Sequence, residues 1–169
     1  GKRYADMSSQ LVNMNLGHHN QQIIDAIKQQ AEDLCFIAPG QAVGVRAALA
    51  KKIIEWTPEG MSRVFFTNAG ADANENAVKM ARVVTGRTKV FSMYRSYHGA
   101  TIAAGNLSGD PRRFSSEIGG AAGFVKFEGP FQYREYFDFK SDEEITKYYL
   151  YMLEKQLIAE GANNVAAIH

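Results

Sequence analysis

The sequence predicts an α/β protein: a mainly parallel sheet flanked by helices, preceded by an N-terminal arm and a helical segment. Two patterns lead there. Runs rich in β-branched and aromatic residues near positions 63, 89, 124 and 165 alternate with stretches whose apolar residues recur at helical spacing, as strands joined by crossover helices do. Residues 63–99 read as strand, small-residue turn, helix, strand and aromatic loop, so two loops fall at the carboxyl ends of neighbouring parallel strands, where open α/β sheets bind ligands. At 169 residues, 46% hydrophobic and 22% charged, the chain is long enough for one substantial core, and its composition excludes disordered and fibrous classes.

Each element has a local cause. Residues 1–15 mix short extended pieces with polar breaks and read as an arm or small hairpin. Asn20 caps a helix reaching about residue 35, with Ile23, Ile24, Ile27, Ala31, Leu34 and Cys35 on one face, until Ala38-Pro39-Gly40 breaks it. A second helix, from about 43 to 56, aligns Val45, Leu49, Ile53 and Trp56 and ends at Pro58 and Gly60. Arg63-Val64-Phe65-Phe66-Thr67 is the first expected strand, and Asn68-Ala69-Gly70-Ala71 is a turn of little bulk. The helix after it, 72–84, carries Ala73, Ala77, Met80, Ala81 and Val84 as its apolar face.

Lys89-Val90-Phe91-Ser92 is the next strand, 100–107 a short helix, and Ser108-Gly109-Asp110-Pro111 a turn. Residues 119–123 are glycine-rich and flexible, Phe124-Val125-Lys126-Phe127 is a short strand, and the aromatic density of 131–139 suggests a loop laid over a partner surface. Ser141 opens a helix by a capping box with Glu144, sets Ile145, Tyr149, Met152, Leu153 and Leu157 on one face, and Gly161 ends it. Val165-Ala166-Ala167-Ile168 begins a buried strand. A core strand rarely finishes a domain, so truncation is expected.

Charge and cysteine usage narrow the function. The formal charge is +1, from 19 basic and 18 acidic residues, with no basic run longer than pairs such as Lys51-Lys52 and Arg112-Arg113; a nucleic-acid partner is not expected. The single Cys35 cannot form an internal disulfide and reads as a buried small hydrophobe, in keeping with a reducing, cytoplasmic location. No apolar run approaches the roughly 20 residues of a bilayer span, and the start lacks the apolar core of a signal peptide, so no membrane partner is expected.

The chemistry concentrates in the two loops. Free N–H groups and the positive end of the helix dipole at Ala69, Gly70 and Ala71 suit a phosphate. Taken alone, a strand, small turn and helix also serves as a plain connection. The turn lacks the Lys-Ser/Thr pair of a Walker A loop and two of the three glycines of a dinucleotide fingerprint. Asp72 must point away or cap its own helix if an anion binds. Tyr97-His98-Gly99 offers an aromatic face and a polar group to a planar ring, or else a turn with a packed tyrosine and a solvated histidine. His18-His19 lacks the further ligands of a metal site, and Glu55, Glu75 and Lys79 read as helix-surface charges.

In order, these residues form a more specific pattern. Gly1-Lys2-Arg3-Tyr4-Ala5-Asp6-Met7, Asn15-Leu16-Gly17-His18, Phe65-Phe66-Thr67-Asn68-Ala69-Gly70-Ala71-Asp72-Ala73-Asn74-Glu75, Ala81-Arg82, Thr85-Gly86-Arg87 and Ser96-Tyr97-His98-Gly99-Ala100-Thr101 resemble the N-terminal half of the class III aminotransferases, pyridoxal-phosphate enzymes of fold type I. The resemblance runs nearly end to end and is greatest to the ω-amino-acid:pyruvate and taurine-pyruvate types. It implies an arm and helical segment over 1–60, and over 61–169 the first half of the cofactor domain, incomplete as a fold type I large domain. It implies pyridoxal 5'-phosphate as cofactor, with Ala69, Gly70 and Ala71 donating backbone N–H groups to its phosphate, Tyr97 stacking on its ring, and His98 and Gly99 completing that wall. The family often has Ser where Ala69 and Ala71 stand, and Glu where Asp72 stands.

The resemblance further implies a homodimer with sites at the subunit interface, an amine donor and a 2-oxo acid as substrates, and a pyridine-nitrogen Asp and Schiff-base Lys in later segments. None of the lysines here stands in the catalytic motif, so these 169 residues are expected not to transaminate alone. The parent enzyme would move an amino group from an ω-amino acid or amine to pyruvate or a similar 2-oxo acid. Same-fold aminomutase or decarboxylase chemistry remains open, as does a non-catalytic short form that binds phosphate or dimerises. An α/β nucleotide-binding protein is disfavoured by the missing glycines and lysine.

Overall fold

β1 (Lys89–Met93) lies at the centre of a three-stranded parallel sheet, between β2 (Phe124–Phe127) and β3 (Val165–Ile168). Val90 faces Phe124 across one ladder and Ala167 across the other, with an irregularity between Lys89 and Val90 on the β3 side. Both edges of β1 are paired, so its middle is the driest part of the sheet: Val90, Phe91 and Ser92 are all buried. That burial is why a short β-branched and aromatic run suffices as a strand. The computed structural model describes residues 1–115, 120–131, 133, 137–139 and 141–169.

Two compact units divide the chain, Gly1–Val64 and Phe65–His169. The first holds a short turn α1 (Ser9–Val12) and the helices α2 (Gln21–Asp33) and α3 (Gly44–Trp56). Residues 9–12 all have positive φ, and no ladder among the described residues includes residues 1–15, so of the arm or small hairpin expected there the hairpin does not form and a turn stands in the arm. Asp6 fastens it, accepting hydrogen bonds from Ser8 and Gln10 and lying 2.7 Å from Nε2 of His18. Asn20 caps α2 as the sequence predicts, its Oδ1 accepting from the N–H groups of Gln22 and Ile23. Neither helix has a buried residue. Cys35 is therefore exposed rather than buried, its thiol donating to the carbonyl of Ala31 at 3.0 Å, on an apolar face whose Ile23, Ile27 and Leu34 are exposed as well.

The second unit holds the sheet, α4 (Gly70–Thr85), α5 (Ile102–Leu107) and α6 (Asp142–Ala159). Val78 of α4, Leu107 of α5 and Val90 of β1 form the core cluster, with Phe124, Ala166 and Ala167 packed against it. Gly86 ends α4 in the left-handed conformation that favours glycine, with φ +67. The Ser141 hydroxyl caps α6 by accepting from the N–H of Glu144 at 3.2 Å. Phe137 and Phe139 gather around Tyr148 with ring centroids 5.3 and 5.4 Å away; the remainder of the aromatic stretch, at 132 and 134–136, lies outside the described residues, as does Gly119 of the glycine-rich tract.

Two further sequence expectations need correction. The run Arg63–Thr67 is not a strand: no ladder among the described residues pairs with it, and Phe65 and Phe66 are exposed. β-Propensity without a partner strand leaves an extended segment. The inward face of α4 is also not the expected one. Ala73, Ala77, Met80 and Val84 are exposed, whereas Ala71, Asn74, Glu75, Val78 and Ala81 are covered. No helix of the described residues is long and apolar enough to cross a membrane.

Candidate functional site

The turn Asn68–Ala69 delivers the chain into α4 with Ala69 extended, at φ −159 and ψ 166, and without a side chain to cap the helix. No acceptor among the described residues takes the N–H groups of Ala69, Gly70, Ala71 or Asp72. These are the four orphan donors of a helix N-terminus, here at the positive end of a 16-residue helix. Asp72 does not compete with an anion for them. Its Oδ2 accepts the N–H of Asn68 at 3.3 Å, and its Oδ1 accepts from Nδ2 of Asn76 at 3.1 Å.

The loop after β1 comes down onto this turn. Gly99 has φ +129, and a Cβ added there would lie 2.6 Å from the Cβ of Ala71 and 3.0 Å from that of Ala104. Only glycine allows that approach. Asn74, one turn along α4, donates from Nδ2 to the carbonyl of His98 at 2.7 Å. On the other side, the N–H of His98 donates to Oγ of Ser108 at 2.9 Å. The His98 ring meets His169, the residue after β3, edge-on at 4.5 Å. Its Nε2 is buried without a partner among the described residues. Burial first, and then the charges of His169 and Lys126, hold the His98 imidazole below its ordinary value. Tyr97 is 48% exposed. The Arg112 guanidinium stacks 3.7 Å from the centre of its ring, and Asp110 steadies it through Nε at 2.8 Å.

Ala71 and Gly99 are thus brought into contact, with Ala69 and Gly70 next to the one along the chain and Tyr97 and His98 next to the other. No group of three metal-ligating side chains occurs among the described residues. Sequence reasoning missed Asn74, Glu75 and Ser108. Glu75 is no solvated surface charge: its Oε1 accepts from Oγ1 of Thr101 at 2.6 Å and from the N–H groups of Ala103 and Ala104 at 2.7 and 3.3 Å. The signal was present in the spacing. Ala71, Asn74, Glu75 and Val78 stand at i, i+3, i+4 and i+7, one stripe of a helix, and two polar residues hid it from an apolar count.

Four orphan N–H groups at the start of α4, beside an exposed tyrosine on the loop that leaves the carboxyl end of the central parallel strand β1, make an α/β domain with a candidate site for an anionic, ring-bearing cofactor. The chain belongs to the class III aminotransferases: the family model for aminotransferase class III matches residues 1–169. It is 32% identical over 99% of its length to a diaminobutyrate–2-oxoglutarate transaminase from Halomonas elongata, covering 38% of that protein. It is 31% identical over 99% of its length to a hypotaurine/taurine–pyruvate aminotransferase from Paracoccus denitrificans, covering 37% of that one. Among solved structures, the taurine:2-oxoglutarate aminotransferase of Bifidobacterium kashiwanohense, in complex with PLP and glutamate, matches 99% of the chain with a TM-score of 0.93 and 54% identity; the chain covers 38% of it. The chain therefore spans well under half the length of these relatives, and its architecture matches a fold type I transaminase over the part it covers.

Proposed function

We propose that the protein to which this chain belongs is a pyridoxal-phosphate-dependent aminotransferase that moves the amino group of a short ω-amino acid of the taurine type to a 2-oxo acid. The observation that carries this reading is the seat of Gly99 on Ala71, which sets an aromatic loop beside four unpaired helix N–H groups. The 54% identity to a taurine:2-oxoglutarate aminotransferase supports the substrate class. When bound, the cofactor supplies an electron sink for the carbon that bears the amino group.

This chain's residues hold and orient. The N–H groups of Ala69, Gly70 and Ala71 receive the phosphate dianion, and the α4 dipole favours its charge. Backbone donors suffice for this where Ser is replaced by Ala. Tyr97 offers a ring face to the pyridine, and His98, held through its main chain by Asn74 and Ser108, fixes the angle of that face. The test is an assay of the full-length protein with taurine, β-alanine and an aromatic amine against 2-oxoglutarate and pyruvate. Glutamate or alanine is expected, with taurine among the best donors. No amino-acid product from any pair overturns the reading.

A further inference from the structure

Thr101 precedes α5 but makes no side-chain cap to it. Its hydroxyl donates instead to Glu75 of α4, and the same carboxylate oxygen takes the N–H groups of Ala103 and Ala104. One helix thus supplies the N-terminal cap of another. Ala103 through Leu107 are buried, so water cannot replace the carboxylate readily. Burial works against ionisation of Glu75, but the hydrogen bonds from Thr101, Ala103 and Ala104 outweigh it and keep its carboxyl below the ordinary value. At its far end α5 is followed by Ser108, whose Oγ accepts from the N–H of His98 and lies 3.2 Å from the carbonyl of Gly99. The loop carrying Tyr97 is therefore strung between α4 and a short helix that Glu75 ties to α4.

We propose that Glu75 is a positioning residue of the candidate cofactor site: by capping α5 from α4 it sets the Tyr97–Gly99 loop against the N–H groups of Ala69, Gly70 and Ala71. This rests on the functional reading above only for what the loop faces. Glu75→Ala removes the acceptor, and Glu75→Gln restores an acceptor oxygen without charge.

In the full-length apoprotein, Glu75→Ala is expected to speed amide hydrogen exchange across residues 97–104 about tenfold and to weaken pyridoxal phosphate binding about tenfold, as loss of a hydrogen bond to a charged acceptor would. Glu75→Gln recovers most of both and most of the circular-dichroism band of the bound cofactor. Unchanged affinity in folded Glu75→Ala overturns the proposal, as does faster exchange confined to Ala103 and Ala104. If Glu75→Ala does not fold, Thr101→Ala, which deletes one of the three donors, takes its place in both measurements, and the same two results overturn the proposal. A wild-type protein that binds no pyridoxal phosphate overturns the functional reading, while exchange still decides whether Glu75 ties the loop down.

Discussion

Gly99 rests on Ala71 so closely that a Cβ at position 99 would stand 2.6 Å from the Ala71 side chain and 3.1 Å from its Cα. Two stretches 28 positions apart in the chain meet there with no side chain larger than the Ala71 methyl between them. Gly99→Ala meets two obstacles, a φ of +129 that L side chains rarely adopt and a clash with backbone-anchored atoms, each costing roughly 1–3 kcal/mol. A lower urea midpoint is expected, together with weaker pyridoxal phosphate binding. Gly70→Ala is the control: nothing lies within 4 Å of a Cβ there and its φ is not positive. Its urea midpoint should stay at the wild-type value or rise slightly, since Ala is the better helix former.

Ala69 occupies the N-cap position of α4 in an extended conformation, with no side-chain hydrogen bond to the helix. Ala69→Ser supplies a hydroxyl oxygen to one of the free N–H groups and is expected to stabilise the apoprotein by about 1 kcal/mol. Urea unfolding with and without cofactor checks this. A gain in the apoprotein that shrinks when pyridoxal phosphate is present would show hydroxyl and phosphate drawing on the same donors. A gain of equal size in both states would place the phosphate elsewhere.

The Ser141 hydroxyl is the corresponding device on α6, accepting the N–H of Glu144 at 3.2 Å. Ser141→Ala should lower stability by about 1 kcal/mol, and Ser141→Asp should restore it, because a carboxylate both caps and complements the helix dipole. Denaturant midpoints of the three proteins decide the matter. Equal midpoints for wild type and Ser141→Ala would mean that this cap contributes nothing.

How far the sequence could be read depended on whether the cause of each element was local. Asn20 and Ser141 cap their helices through oxygens two or three residues from the amides they serve, so both N-termini were legible. β1 was legible because an apolar run as short as Lys89–Met93, buried on both faces, has few other uses. Arg63–Thr67 carries the same composition, yet strand formation also needs a neighbour, which composition cannot supply. The six positions expected for cofactor binding form a pattern of residue types in the sequence, and the contact of Gly99 with Ala71 joins the two stretches that carry them. The spacing put Asn74 and Glu75 on the covered stripe of α4, but their partners were not readable, since their hydrogen bonds reach 24 to 29 residues along the chain. Cys35 was misread because an apolar stripe shows which face seeks cover, not whether cover is there.

His98 supplies a pH dependence whose sign follows from its surroundings. Burial, His169 and Lys126 all disfavour its protonated form in the folded chain, so its native value lies below the ordinary 6.5. Between that native value and 6.5 the unfolded chain binds the proton more readily than the folded one, and stability rises with pH across the window. The contribution is complete above 6.5 and is lost as the solution is acidified through 6.5 toward the native value. His98→Gln keeps a polar side chain and cannot titrate there. Unfolding free energies of the two proteins measured from pH 8 to pH 5, about the range in which an imidazole changes charge, should diverge in slope below 6.5, with the wild type losing more. Parallel curves would mean that His98 titrates alike in both states, and that its buried Nε2 gains a partner when protonated.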